Sequence, residues 1–219
     1  MGVITLGQSP HPELEQAFVD AASTVRVRVR GALDGLGPQE IADLARRRTD
    51  APVLVRLVDG STRTIGMEWL HPLVERLARE LMEADARLIV IACTGDFPPC
   101  RCEVPILQPS VVCRNELAAR SPRARVGIVA PVEAEARVTA ARWLADGFLP
   151  VVTWASPRRH VEVMRAGQAM RDADVDVVML DDLGHDVGSA EEFARRCGKT
   201  VVTARALVAR AVQAELLTR

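Results

Sequence analysis

The sequence predicts an α/β fold of two pseudo-symmetric lobes, each with a mostly parallel sheet flanked by helices. Short β-branched segments alternate with amphipathic helical segments along the chain, as in parallel sheets joined by right-handed crossovers. Residues 88–92 and 177–180 are apolar throughout, which is typical of strands buried on both faces. The second half of the chain also repeats the element order of the first half.

In the first half, the apolar periodicity predicts four sheet strands, one hairpin and four helices. Residues 24–30 alternate Val and Arg, the pattern of a strand with one solvated face. Asp59-Gly60 fits a two-residue type I′ turn and predicts a hairpin over residues 53–65. The predicted strands are residues 3–6, 24–30, 88–92 and 104–107, and the predicted helices are residues 13–22, 39–47, 67–84 and 111–119.

The second half gives four further strands and four helices. The strands are predicted at residues 125–130, 149–154, 175–180 and 200–202, and the helices at residues 133–146, 157–172, 190–196 and 204–217. Residues 3–7 correspond to 126–130, the strand before Cys93 to the strand before Asp182, and 104–119 to 200–216. A boundary near residues 121–123 follows, with lobes 1–121 and 122–219 expected to face each other across an active-site cleft.

Reactive side chains come directly after the two buried strands. The first strand is followed by Cys93 and the second by Asp182. Open α/β sheets bind ligands at the carboxyl ends of their strands. We therefore predict that Cys93 and Asp182 are the catalytic residues of one active site. Residues beside the same strand ends are predicted to bind the substrate, namely Gln8, Ser9, Thr94, Gly95, Pro131, Val132, Gly184 and His185.

Each candidate also has a structural interpretation. Cys93 at the end of a buried strand can serve as a small apolar side chain. Asp182 can cap the helix that follows it, and Asp181 is expected to be a cap or a member of an ion pair. His185 is a candidate proton donor, although a histidine in a loop usually lies at the surface.

The composition disfavours nucleic-acid, membrane and secreted classes. The net charge of −1 gives no electrostatic basis for binding nucleic acid. The longest apolar run is far short of the roughly 20 residues that span a bilayer. Five cysteines without a basic signal segment at the N-terminus predict a cytoplasmic protein.

The residues also argue against a cofactor or a metal. Lys199 is the only lysine and stands near a strand start, an unfavourable place for a Schiff base. Neither G-x-G-x-x-G nor a Walker A pattern occurs in the sequence. Cys100, Cys102 and Cys113 lack the C-x₂-C spacing of zinc sites and have no histidine nearby. We expect chemistry performed by side chains alone.

Five segments of the sequence together resemble the AroM family over essentially the whole chain. These are residues 4–10 (ITLGQSP), 31–36 (GALDGL), 93–97 (CTGDF), 126–131 (VGIVAP) and 179–184 (MLDDLG). AroM proteins resemble the aspartate/glutamate/hydantoin racemase superfamily, which includes maleate isomerase and arylmalonate decarboxylase. The resemblance implies two lobes and a cofactor-independent site, flanked in the racemases by one cysteine from each lobe. Cys93 matches the first cysteine, whereas Asp182 stands at the second.

A thiol and a carboxylate make an unequal acid–base pair. A cysteine at a helix N-terminus can act as a base because its pKa falls below about 8.5, whereas an aspartate near pKa ~4 is a weak base unless burial raises its pKa. This pairing favours one-way proton delivery, as in isomerisation or decarboxylation, over symmetric racemisation. The predicted function is proton transfer at the carbon next to the carboxylate of a small acid or amino acid. The alternative is a non-catalytic ligand-binding or regulatory protein, and a homodimer is one candidate assembly.

Overall fold

The computed structural model describes residues 1–22, 25–120 and 125–218, in which strands and helices alternate. The strands are β1 (Gly2–Thr5), β2 (Arg28–Gly31), β3 (Pro52–Arg56), β4 (Thr62–Gly66), β5 (Ile89–Ile91), β6 (Ile106–Leu107), β7 (Arg125–Ala130), β8 (Leu149–Trp154), β9 (Val177–Leu180) and β10 (Val201–Thr203). The helices are α1 (Pro12–Ala21), α2 (Pro38–Arg46), α3 (Met67–Glu83), α4 (Pro109–Arg120), α5 (Ala136–Ala145), α6 (His160–Asp172), α7 (Val187–Cys197) and α8 (Ala204–Leu217). No helix in these ranges is both long and apolar enough to cross a membrane.

Two parallel sheets share one strand order. The first sheet runs β2-β1-β5-β6 and the second runs β8-β7-β9-β10, with every neighbouring pair parallel. In both sheets the first strand along the chain lies between the second and the third. The predicted fold class is therefore confirmed. β1 and β5 hold the places in the first sheet that β7 and β9 hold in the second.

The chain forms two compact units, Met1–Gln108 with Val212–Arg219, and Pro109–Ala211. This division differs from the predicted lobes 1–121 and 122–219, and the predicted boundary at residues 121–123 lies outside the described residues. The helix α4 belongs to the second unit, and two of its side chains form ion pairs with residues of that unit. Arg114 Nε lies 3.1 Å from Asp146 Oδ2, and Arg210 Nη2 lies 3.2 Å from Glu116 Oε2.

Each sheet is held by helices that bury an apolar face. In the first unit, β1 and β5 share a core with α3, formed among others by Ile4, Ile89, Ile91, Leu70, Val74 and Leu81. In the second unit, β7 and β9 share a core with α6 and α7, formed among others by Val129, Val178, Leu180, Val163, Met170 and Phe193. A Cβ atom on Gly127 would lie 2.6 Å from Met170 Sδ, so a side chain at this position would force Met170 to move.

The predicted hairpin is confirmed and lies against the loop after β1. The strands β3 and β4 pair antiparallel, but the predicted type I′ turn does not form, because it needs a positive φ at both Asp59 and Gly60 and of these two only Gly60, at +82°, has one. The Gly60 amide instead donates to the Leu57 carbonyl oxygen at 3.0 Å. The amide of Gln8 donates to the carbonyl oxygen of Arg56 at 3.0 Å. A Cβ atom on Gly7 would lie 1.9 Å from that same oxygen. The backbone of the hairpin therefore packs directly on the carboxyl end of β1.

Several helix and strand ends differ from the sequence-based bounds. Residues 133–146 begin as a 3₁₀ turn, Glu133–Glu135, before α5 starts. The helix α6 begins three residues later than predicted because residues 156–159 form a turn, in which the Arg159 amide donates to the Ser156 carbonyl. The strand β2 is shorter than predicted, and residue 24 of that prediction lies outside the described residues.

Candidate active site

The strand order of each sheet creates one place where ligands are expected to bind. In the first sheet the chain runs from β1 to β2 at one edge and from β5 to β6 at the other edge. In the second sheet it runs in the same way from β7 to β8 and from β9 to β10. Crevices at the carboxyl ends of such strand pairs are the usual ligand sites of open α/β sheets. All ten predicted site residues follow one of these four strands, namely Gln8 and Ser9 after β1, Cys93, Thr94 and Gly95 after β5, Pro131 and Val132 after β7, and Asp182, Gly184 and His185 after β9.

Cys93 is a half-buried residue two positions beyond the end of β5. The hydrogen bonds between β1 and β5 continue one residue past β5, where the Ala92 amide donates to the carbonyl oxygen of Ile4 at 2.8 Å. The Cys93 amide then donates back to Ile91 at 2.8 Å, which turns the chain out of the sheet. All five cysteines fall in the described part of the chain, and none of them is joined in a disulfide.

The loop after Cys93 is anchored on α3. Phe97 is buried in the core of the first unit, with its ring centroid 5.6 Å from that of His71. His71 Nε2 donates to the carbonyl oxygen of Pro99 at 3.1 Å, and the Arg101 amide donates to Glu75 Oε1 at 3.0 Å. These contacts hold residues 97–101, which follow Cys93, Thr94 and Gly95, against α3.

The loop after β1 is fixed by Asp34, a residue that we did not predict for the site. The Ser9 amide donates to Asp34 Oδ1 at 2.8 Å, and the Ser9 hydroxyl donates to Oδ2 at 2.6 Å. The Gly31 amide donates to Oδ2 at 2.7 Å. Because the Ser9 hydroxyl hydrogen is used for Asp34, its oxygen is left to accept. On the other side of the loop, Gln8 Oε1 accepts from the Val58 amide at 3.2 Å.

We expect Asp34→Ala to destabilise the first unit by about 2–4 kcal/mol, since it leaves two backbone amides and one hydroxyl without their acceptor. Urea unfolding of the wild type and the variant gives this difference. Asp59→Ala is the matched control, because Asp59 Oδ1 accepts from the Ser61 amide in an exposed turn. A loss for Asp34→Ala no larger than that for Asp59→Ala would contradict the anchoring role.

Asp182 is half-buried two positions beyond the end of β9 and is not the cap of the next helix. Its Oδ1 accepts from the Gly184 amide at 2.6 Å, whereas Asp186 caps α7 by accepting from the Ser189 amide at 2.8 Å. Burial raises the pKa of Asp182 from 3.8 to about 6; the charge of Asp181 adds to this rise, and the Gly184 amide and Arg158 oppose it. Asp182 can therefore hold or release a proton near neutral pH.

Gly184 lies so close to the Asp182 carboxyl that a side chain at position 184 would contact it. A Cβ atom at position 184 would lie 2.7 Å from Asp182 Oδ1 and 2.9 Å from Pro157 Cγ. The loop after β8, which contains Pro157, thus closes against the turn after β9. On the neighbouring strand β7, Pro131 and Val132 are half-buried and lead into the 3₁₀ turn.

His185 is buried, contrary to the expectation for a loop histidine. Only 1% of its surface is exposed, and neither ring nitrogen has a hydrogen-bond partner within the described ranges. Burial lowers its pKa from 6.5 to about 4, against a smaller opposing effect of Asp186, so the ring is neutral at pH 7. A buried imidazole without partners costs stability, which makes it a candidate ligand-binding group.

Asp181 and Arg142 form a buried ion pair beneath this turn. Arg142 Nη2 lies 2.5 Å from Asp181 Oδ2, and Trp143 Nε1 donates to the same oxygen at 3.4 Å. The prediction that Asp181 is a cap or an ion-pair member is confirmed in its second form. The partner could not be predicted from the sequence, because Arg142 lies 39 residues away on α5.

Cys100 and Cys102 are half-buried in the loop that follows Cys93. The thiols of Cys100 and Cys102 donate to the carbonyls of Pro98 and Ala78 at 3.9 and 4.0 Å. Burial raises the pKa of Cys100 to about 11, with Glu75 adding to the rise. Across the residues that the structure describes, no group of three or more His, Cys, Asp or Glu is placed to hold a metal ion.

The fold is that of the two-lobe racemases and their relatives. A glutamate racemase isoform from Bacillus anthracis matches with a TM-score of 0.62 and 10% identity, over 99% of this chain and 81% of that one. A maleate isomerase from Pseudomonas putida matches with a TM-score of 0.61 and 14% identity, over 99% and 92%. Arylmalonate decarboxylase matches with a TM-score of 0.56 and 17% identity, over 96% and 92%.

The chain belongs to the AroM protein family, which it matches over residues 1–217. This confirms the resemblance inferred from the five sequence segments. No curated protein matches the sequence significantly.

Proposed function

We propose that this protein is a cofactor-independent enzyme that transfers a proton at the carbon next to the carboxylate of a small acid or amino acid. Cys93 and Asp182 are its acid–base residues. The proposal draws support from the similar structures, whose names specify glutamate, maleate and arylmalonate, all of them small carboxylic acids.

One observation carries the proposal. Cys93 and Asp182 stand at equivalent positions, each the second residue after the third strand of its sheet. In both units this strand borders the crevice where a ligand is expected. A thiol and a carboxyl of raised pKa at equivalent strand ends are suited to acid–base work near neutral pH.

The two side chains have different parts in the proposed reaction. Cys93, as thiolate, accepts a proton from the substrate carbon next to the carboxylate. Asp182, in its protonated form, donates a proton to the carbanion at that carbon. Negative charge that develops on the substrate carboxylate needs hydrogen-bond donors aimed at it. Backbone amides of the turns after β5 and β7, the Thr94 hydroxyl and the neutral ring of His185 are the donors we propose.

In deuterium oxide, we expect the protein to incorporate deuterium stereospecifically into at least one member of a panel of small α-amino acids, maleate-like diacids and substituted malonates. Cys93→Ala should lower the rate by about 10²–10⁴-fold, the usual contribution of a positioned acid–base group. Proton NMR and mass spectrometry of the recovered acids measure the exchange. Asp182→Cys should allow the second configuration to exchange as well, because it restores two thiols.

Cys197→Ala is the matched control, since Cys197 is the last residue of α7 and does not follow a strand end. It should exchange at the wild-type rate. Equal deuterium in both configurations with the unmodified protein would contradict the one-way mechanism. Binding of a panel member without any exchange would instead identify the protein as the non-catalytic binder.

A further inference from the structure

The half-buried carboxylate of Asp34 is bound by neutral donors alone. Its oxygens accept from the Ser9 amide at 2.8 Å, the Ser9 hydroxyl at 2.6 Å and the Gly31 amide at 2.7 Å. Among the described residues, no lysine, arginine or histidine forms an ion pair with Asp34. The arginine of the adjacent hairpin, Arg56, is paired with Glu13 at 2.5 Å instead. The negative charge of Asp34 therefore favours a cation beside it.

The backbone fixes the contact between Asp34 and Ser9 from both sides. The Leu33 amide donates to the carbonyl oxygen of Gly7 at 3.0 Å, and the Asp34 amide donates to that of Gly31 at 3.0 Å. A Cβ atom on Gly31 would lie 2.6 Å from both Asp34 Oδ1 and the Ser9 nitrogen. The loop after β2 thus lies directly against the loop after β1.

This contact decides what the Ser9 hydroxyl can offer to a ligand. A hydroxyl has one hydrogen to donate and two lone pairs to accept with, whereas a carboxylate only accepts. At 2.6 Å from Asp34 Oδ2, the Ser9 hydroxyl is therefore the donor, and its oxygen is left as an acceptor. A substrate carboxylate placed there would set oxygen against oxygen beside the Asp34 charge. An ammonium group would donate and carry the opposite charge.

The neighbouring residue, Gln8, has the opposite polarity. Its Oε1 accepts from the Val58 amide at 3.2 Å, which leaves the two hydrogens of Nε2 to donate elsewhere. An acceptor at Ser9 and donors at Gln8 match the ammonium and carboxylate groups of an α-amino acid. Diacids such as maleate and the malonates carry no donor for Ser9.

We propose that Ser9 Oγ binds the ammonium group of an α-amino acid, and that Asp34 is the positioning residue that makes Ser9 an acceptor and supplies the compensating charge. This inference rests on the proposed function and selects α-amino acids from the small acids which that function allows. Ser9 follows β1 and Cys93 follows β5, and these two strands are paired. The ammonium group is thus held at the strand end next to the one that carries the thiol.

The test is calorimetric titration of the intact protein with pairs of acids that differ only in the amino group. The pairs are both enantiomers of glutamate against glutarate, of aspartate against succinate and of alanine against propionate. The wild type is expected to bind at least one amino acid about 10–100-fold more tightly than its partner, the effect of one hydrogen bond to a charged group. Ser9→Ala should remove this preference by weakening the amino acid alone, and Ser9→Thr, which keeps the hydroxyl, should retain it.

Asp34→Asn tests the charge with the Ser9 hydroxyl present, and it should also lose the preference. A purely structural loss would weaken both members of a pair alike. Thr49→Ala is the matched control, because the Thr49 hydroxyl also donates to a carboxylate, Glu68 Oε2 at 2.9 Å, but its oxygen already accepts from the Ala51 amide. It should keep the wild-type preference. If circular dichroism shows Asp34→Asn unfolded, Ser9→Ala decides on its own, since it keeps the backbone amides bound to Asp34.

Equal affinity within every pair, tighter binding of the acids without an amino group, no binding of any amino acid, or a preference that survives Ser9→Ala would overturn the inference. A preference that depends on Ser9 supports it even if no amino acid exchanges deuterium; in that case only the proposed function fails. Exchange into a diacid or a malonate while the amino acids stay unbound would have the reverse meaning, because the enzyme would work without an ammonium group.

Discussion

His185→Leu is expected to stabilise the protein at pH 7 while lowering the deuterium exchange rate about 100-fold. The imidazole is 1% exposed and has no hydrogen-bond partner for either nitrogen in the described part of the chain. A buried polar group left without partners costs about 1–3 kcal/mol, and leucine has a similar volume without that cost. Thermal unfolding should show a gain of about 2–4 °C for each kcal/mol in a chain of this size.

His160→Leu serves as the control for this variant. His160 stands at the start of α6, exposed, with its Nδ1 3.4 Å from Glu192 Oε2. Neither its melting temperature nor its exchange rate should rise or fall appreciably. Lower stability for His185→Leu with unchanged exchange would show that His185 is a packing residue and contributes nothing to binding.

Asp182→Asn should stabilise the protein above pH 6 and leave its stability unchanged below pH 4. The folded-state pKa of Asp182 is raised from 3.8 to about 6, so the folded protein binds the proton more tightly than the unfolded chain between these values. Stability is therefore lost as the pH rises from 3.8 through 6. Discounted for partial exposure of the side chain, the gain from asparagine is about 2 kcal/mol at pH 7.5.

His185 has the opposite effect over nearly the same pH range. Its pKa is depressed from 6.5 to about 4, so between these values the unfolded chain binds a proton that the folded protein does not. The free energy of unfolding is therefore highest above pH 6.5 and falls as the pH drops from 6.5 through 4. In the wild type the two effects offset each other. Urea unfolding at pH 5 and pH 6.5 should show stability rising with pH in Asp182→Asn and falling with pH in His185→Leu. Equal slopes in both variants would contradict the assigned shifts.

The fold could be predicted from sequence because its signals are local. Apolar strands, helical periodicity and the Asp59-Gly60 turn act within a few residues, and the repeat of element order gave the two similar sheets. Helix starts were less accurate where capping competed with periodicity, as at α7, which Asp186 caps and which begins at Val187, three residues before the predicted start. The division into units could not be predicted, because it depends on where α4 packs.

The site could be predicted only as far as the strand ends define it. Cys93 and Asp182 follow buried strands, so their positions follow from topology. The residues that hold the site arrive from elsewhere, since Asp34 reaches Ser9 from the loop after β2, and Arg142 reaches Asp181 from α5. Burial of His185 was missed because its burial depends on tertiary packing, which a short polar turn does not reveal.

The way the chain divides into units bears on the order of folding during synthesis. The second unit, Pro109–Ala211, is one continuous stretch, whereas the first is interrupted by it and includes residues 212–217. A ribosome making this chain releases every residue of the second unit before the first unit has all of its own. The β2-β1-β5-β6 sheet is thus made early, yet its unit is complete only after α8, so the nascent N-terminal part must stay soluble while incomplete.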